Sequence, residues 1–288
     1  MNGIALALFA AVLLGAYMFG VKRYFAAYPA SVYMFGVYAA AVVWYLPVAV
    51  ATTDGPPVPT TVPGFVASLA VSVGVVVALL AFFRALSTGD VSYVAPISKV
   101  VPAFVLPIEV LVLHERLSTV QITGIVVVTL GLYLVNYEPG TLLEPLERAV
   151  RARPAQLALL SAATFGVVDV GKRVVLQELG VDPAAFVVVM LVTTFVGVVP
   201  LALPKLDRAA MAADWWKFVA FGAVVAVGQH VISLSFTTLP ASVASPIVNA
   251  QAVVAVLLGG VVLEEPNFRL RLAAASVAIA GVALITLG

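Results

Sequence analysis

Lys99, in the middle of an apolar stretch and flanked by Pro96 and Pro102, is the residue of this 288-residue chain whose chemical task is easiest to read. An ionisable group deep in hydrocarbon costs several kcal/mol, so it must face water, meet a counter-charge or hold an anion. The two prolines remove backbone donors and free carbonyls one turn earlier, which is tolerable only beside protein or water. Lys99 is therefore read first as the contact for an anionic group of a ligand, with a structural ion pair and a snorkelling lysine as the alternatives.

A few other side chains invite the same question. Asp169 lies three and four residues before Lys172 and Arg173, a spacing that allows pairing along one helix and competes with a role in carrying a proton. His230, next to Gln229, titrates near neutral pH and suits either a proton relay or hydrogen-bonded packing. Asn249 and Gln251 can bond a ligand or a neighbouring helix. Of Tyr17, Tyr38, Trp44 and Tyr45, which also fit interfacial belts, Tyr38 is taken as the cavity candidate. Glu109 is an acid in need of a basic partner, and Glu115 and Glu265 stand at helix ends, where stabilising a junction is the expected task. The candidate substrate-binding set is Lys99, Asn249, Gln251, His230, Tyr38 and Asp169.

These residues stand out because so little around them is polar. The chain is 63% hydrophobic and 10% charged, with mean hydropathy +1.14, against roughly 25% charged residues in an ordinary soluble domain. The apolar residues come in runs of about 18 to 23, the length a helix needs to cross hydrocarbon. Net charge is +1, with the basic residues near span ends, so no nucleic-acid-binding face is expected. The absence of cysteine removes disulfides, thiolate metal sites and a cysteine nucleophile. There is no G-x-x-x-x-G-K-[ST] loop, zinc signature or nucleophile elbow. No cofactor, no metal and no enzymatic activity are expected. A membrane-embedded enzyme using His230, Asp169 or His114 is the weaker rival; a lipid-handling or auxiliary membrane protein, marked by a lateral lipid-filled groove, is the stronger.

Pro, Gly and charge divide the chain into spans near residues 3–21, 31–51, 64–84, 91–113 and 119–136, then 156–174, 184–203, 215–236, 241–263 and 268–287. Continuous apolar runs of this length are helices, since barrel strands would alternate. The first run lacks a preceding basic segment and a cleavage pattern and is read as a retained helix. TTDGPPVPTT is a proline-rich connector. PGTLLEPLERAVRARP places Leu142, Leu143, Leu146 and Val150 on one side, so residues 138–155 are read as an interfacial linker between units 1–137 and 156–288.

A shift of 150 positions superimposes Ser92, Pro96, Ile97, Val112, Leu113, Glu115, Gly131 and Leu134 on Ser242, Pro246, Ile247, Val262, Leu263, Glu265, Gly281 and Leu284. Lys22 and Arg23 fall on Lys172 and Arg173, and Lys99 falls on Asn249. This is an internal duplication. With five spans per unit, the second unit enters the bilayer from the opposite side, giving an all-α membrane protein of about ten helices in two inverted five-helix repeats. Two such half-bundles around a shared cavity can open to either side in turn.

Two stretches, VSYVAPISKVVPAFVLPIEVLVLHERLSTVQITGIVVVTLGLYLV and ASVASPIVNAQAVVAVLLGGVVLEEPNFRLRLAAASVAIAGVALITL, share an apolar helix closed by a glutamate and followed by a glycine-bearing helix. This pattern resembles the drug/metabolite transporter superfamily, in particular its ten-helix EamA-type branch, over nearly the whole chain. Pro266 stands where that pattern usually has a basic residue. The resemblance implies a secondary transporter of the plasma membrane that moves amino acids or related small polar metabolites, as an exporter, with protons as a candidate coupling ion through Asp169 or His230. It also implies both termini inside. Basic residues predict the reverse: 22, 23, 84, 148, 151, 153, 205, 208, 217, 269 and 271 border odd-numbered connections, and only Arg116, Lys172 and Arg173 border even ones.

Overall fold

The computed structural model describes residues 2–53, 55–88, 94, 97–135, 151–262 and 268–287, and all regular structure among them is helical. The first half contains α1 (Gly3–Tyr24), α2 (Ala30–Thr52), α3 (Val62–Thr88), α4 (Val101–Val112) and α5 (Thr119–Val135). The second begins with α6 (Arg153–Arg173), which runs into a π-helical turn (Val174–Glu178). There follow α7 (Pro183–Ala202), a 3₁₀ turn (Leu203–Lys205), the short α8 (Arg208–Ala213), α9 (Trp215–Phe236), α10 (Ala241–Asn249), α11 (Gln251–Val262) and α12 (Phe268–Leu287).

Among the described residues six segments are long and apolar enough to cross a membrane: α1, α2, α3, α7 with its 3₁₀ turn, α9, and α10 with α11. Apolar stretches of α4, α5 and α12 are shorter. α6 is the least apolar of the predicted spans because it carries Gln156, Asp169, Lys172 and Arg173, three of which have partners described below. Within α3 two buried hydroxyls turn back onto their own backbone: Ser68 Oγ donates to the Gly64 carbonyl and Ser72 Oγ to the Ser68 carbonyl, both at 2.7 Å, so neither is left unsatisfied.

The fourth and ninth spans depart from the continuous helices predicted over 91–113 and 241–263. α4 starts only at Val101, after a turn at Lys99 and Val100, and α10 gives way to α11 at Ala250. Proline accompanies both breaks: Pro102 stands in the first turn of α4, where its missing donor costs nothing, and Pro246 leaves α10 one donor short, although Pro107 is accommodated inside α4. Hydropathy carries no trace of such a break. The two breaks lie at positions related by the 150-residue shift. Residues 136–150, most of the predicted linker, and the repeat markers Ser92, Pro96, Leu263 and Glu265 lie outside the described residues; α6 starts at Arg153, inside the linker's predicted range.

Helices pack across the halves in a pattern that survives exchange of the halves. α3 packs on α6 as α9 packs on α1; α2 on α9 as α7 on α3; α1 on α11 as α6 on α4. Each pair maps onto the other by the shift. The remaining large contacts, α5 with α12 and α2 with α7, join a helix to its own counterpart. In the first, a Cβ on Gly131 would lie 2.4 Å from Ala278 N and a Cβ on Gly281 2.4 Å from Val128 N, two contacts that are images of each other. Only glycine allows backbones this close. Because Gly124 faces Gly281 and Ile285 while Gly131 faces Ala278, α5 and α12 run antiparallel. In α2 and α7, Phe35 stacks near Phe195 at 5.4 Å, and Tyr45 sits by Val188 and Leu191, so this pair is antiparallel too.

Candidate functional site

A cavity of about 310 Å³ sits where the two helix breaks meet α1, α2, α3, α6 and α9. Lys99 and Asn249 reach it from the breaks, Gln251 from the first turn of α11, Asp169 and Lys172 from α6, Tyr38 from α2 and Gln229 from α9. Five of the six candidates from the sequence therefore share one space. Leu14, Phe82, Phe165, Val225 and Ile232 make its apolar walls.

The charges in this cavity are not balanced. Asp169 receives the Lys172 ammonium at 3.1 Å and the Ser245 hydroxyl at 2.6 Å, so its carboxylate is satisfied on both oxygens. Asn249 donates its amide to the Ser245 carbonyl at 2.9 Å and keeps its own carbonyl oxygen free for the cavity. Lys99, partly buried, has neither a hydrogen bond nor an ionic partner among the described residues. What remains, among the described residues, is one cation without a counter-charge beside neutral amides and a phenol, chemistry able to pair with an anionic group.

His230 sits elsewhere. Its Nδ1 is 2.6 Å from the Tyr45 hydroxyl, between α9 and α2, and it does not line the cavity; its neighbour Gln229 does. The sequence shows that two adjacent polar residues interrupt a span, not which of them faces inward.

A buried ionic network lies past one end of the cavity, and at the other end the cavity continues. In the network the carboxylate of Glu109, fully buried, accepts the Ser242 amide at 2.7 Å together with the Ala241 amide and the Ser242 hydroxyl. It thus caps α10, whose own N-cap, Pro240, offers no side chain. Arg173 bridges Glu109 at 3.3 Å and Glu115 at 2.6 Å. Gln177 accepts from the Arg173 Nε and donates to the Phe236 and Leu239 carbonyls at 2.8 Å. This network was only half visible in the sequence: Glu109 stood out as an acid without a partner, but its partner lies 64 positions away and the π-helical turn that presents Gln177 has no pattern of its own.

At the other end the cavity shares Tyr17, Met18, Tyr38 and Leu79 with an apolar vestibule of about 510 Å³ that reaches Lys22, Phe25 and Tyr28 near the α1–α2 connection. The Tyr17 and Tyr33 hydroxyls bond each other there. Tyr28 donates to the Ala210 carbonyl at 3.0 Å and to Asp214 at 2.9 Å. Burial, helped by the neighbouring carboxylate, pushes its hydroxyl up to about 12, so it remains a donor at any physiological pH. Asp214 is held below the usual carboxylate range by its hydrogen bonds from Lys217 and Tyr28.

Apolar helices around a polar, partly charged cavity at paired helix breaks mark a multi-pass membrane protein. The chain belongs to the EamA-like transporter family, whose profile matches residues 1–137 and 153–287, one copy in each half. It is thus a membrane transporter of the drug/metabolite transporter superfamily. Among solved structures, one titled "Crystal structure of protein" aligns with a TM-score of 0.80 over 99% of this chain and 96% of its own, at 16% sequence identity, a likeness of fold. No curated protein matches the sequence.

Proposed function

We propose that the protein is a secondary transporter of the plasma membrane that exports amino acids or related small polar metabolites by alternating access. Lys99 holds the substrate carboxylate, Asn249, Gln251 and Tyr38 bond its remaining polar groups, and Asp169 with Lys172 forms the neutral wall of the site. His230, tied to Tyr45, is assigned a packing role. The observation that carries this reading is the unpartnered Lys99 in a cavity whose only carboxylate, among the described residues, is already neutralised.

The architecture proposed to support it is ten spans in two inverted five-helix repeats, residues 1–137 and 156–288, joined by the interfacial linker 138–155. The antiparallel contacts of α5 with α12 and α2 with α7 support inversion, because a twofold axis that relates a helix to an antiparallel counterpart must lie across the helices. Substrate enters through the vestibule; the Glu109–Arg173–Glu115 network holds the opposite side shut and must part for release. A cavity of this size is at the small end for ligand sites, fitting a metabolite rather than a large drug.

The test is a thermal-shift panel of amino acids, organic anions, nucleosides, sugars and polyamines on purified protein, followed by transport of the hits in proteoliposomes. Carboxylate-bearing solutes are expected to stabilise the wild type and not Lys99→Ala. Stabilisation by polyamines or uncharged sugars alone would sink the assignment.

A further inference from the structure

A second binding place lies on the flank of the bundle, adjoining the vestibule at Ala30 and Phe83 but sharing no lining residue with the central cavity. A groove of about 670 Å³ runs between α2, α3 and α7. Its inner part is apolar, with Leu80, Phe83, Leu86 and Leu201, and its outer end carries Arg84 and Lys205. Among the described residues no acidic side chain lines it and neither cation has a side-chain partner.

The helix register explains why the two cations meet. α3 and α7 run parallel, with Gly64 against Val181 and Gly197 against Val76. Eight residues beyond the second contact on each chain come Arg84 and Lys205. Leu80 and Leu201 each sit one turn deeper, about 6 Å at the rise of a helix. The same end of the molecule bears the exposed Trp215 and Trp216, which mark the level of the bilayer interface. The groove is therefore charged at headgroup depth and apolar at acyl-chain depth.

The third wall adds donors. α2 begins at Ala30 behind Pro29, which supplies no side-chain cap, and the Ser31 hydroxyl, which lines the groove, is buried without a hydrogen-bond partner. Exposed cations on a membrane protein commonly snorkel to water, but that would not explain an unsatisfied buried hydroxyl at the same place. We infer that this groove is a binding site for an anionic phospholipid, its phosphodiester held between Arg84, Lys205 and the start of α2, and one acyl chain lying along Leu80, Phe83 and Leu201. Because the groove shares no residue with the central cavity, the lipid is a standing ligand of the transporter and not its transported solute, which separates this site from the lipid-filled pathway of a lipid-handling protein.

Native mass spectrometry of the protein released from nanodiscs of equimolar phosphatidylglycerol and phosphatidylcholine tests it. Wild type is expected to retain phosphatidylglycerol preferentially, each cation contributing about fivefold, and the Arg84→Gln/Lys205→Gln variant to show no preference. Leu201→Trp, which fills the groove with both cations intact, is expected to lose the retained lipid as well. Both side chains at the clamp are exposed, so thermal unfolding in phosphatidylcholine alone should be unchanged. An unaltered preference in the double variant overturns the inference. So does full retention by Leu201→Trp, or displacement of the lipid by inorganic phosphate, which would make the place an anion site without an acyl chain.

Discussion

Lys99 and Arg173 are both cations within the span region, and their surroundings give them opposite tasks. Arg173 lies between two carboxylates and a glutamine, so its charge is consumed in holding helices together. Lys99 has no such partner, and its desolvation is offset only when an anion arrives. Lys99→Ala should therefore abolish transport while leaving the melting temperature unchanged or higher; a lysine serving as structural ion pair would lower it. Glu109→Ala should behave in reverse. It strips a cap from α10 and leaves Arg173 buried with half its counter-charge, a loss of about 3 kcal/mol, read as a lowered melting temperature in detergent; unchanged stability would show that the network is ornamental. The cavity residues were legible in the sequence because polar atoms interrupting apolar runs are costly and need a reason. The Glu109–Arg173 partnership was not, because pairing between distant helices leaves no local mark.

Elements show the same division. Among the described residues helix positions followed the apolar runs to within a few residues, since a helix in lipid must be both long and apolar, but where α4 and α10 break did not. The breaks at Val100 and Ala250 depend on how freed carbonyls are taken up by neighbours, which hydropathy does not register. α6 shows the converse: its apolar length is interrupted by groups that the fold uses elsewhere, Asp169 and Lys172 at the cavity and Arg173 in the network with Glu109. The packing of α5 on α12 rests on Gly131 and Gly281, marked as repeat partners in the sequence though not as contacts. Backbone lies within 2.6 Å of a Cβ at Gly131, and no side chain can move to relieve it. Gly131→Ala and Gly281→Ala should each cost about 1 to 3 kcal/mol by overpacking, measured by thermal unfolding. Because the two contacts are images of one another, the two losses should be similar. A clear difference between them would mean that the twofold relation is broken at this interface.

At the scale of the whole molecule, every large helix contact is either self-paired or has a partner under exchange of the halves, and this makes the inverted-repeat reading open to a direct experiment. The chain has no cysteine, so a single introduced thiol reports only its own position. Val58 precedes α3 and Arg208 follows α7; they are exposed and separated by the 150-residue repeat shift. Since α3 and α7 run parallel, the connector before one and the connector after the other stand at opposite ends of the bundle. In intact cells a membrane-impermeant maleimide should therefore label Val58→Cys or Arg208→Cys but not both, with the second thiol reacting only after permeabilisation. Labelling of both, or of neither, before permeabilisation would place the halves in the same orientation and remove the basis for alternating access. The identity of the labelled thiol also decides between two orientations in conflict. Lys22, Arg84, Lys205, Arg208 and Lys217 lie at the vestibule end. The charge rule sends that end to the cytoplasm, so Val58→Cys would react from outside, whereas a transporter with both termini inside would expose Arg208→Cys. In the first case the vestibule loads from the cytoplasm and the Glu109–Arg173–Glu115 network is the outer gate, the arrangement an exporter at rest requires.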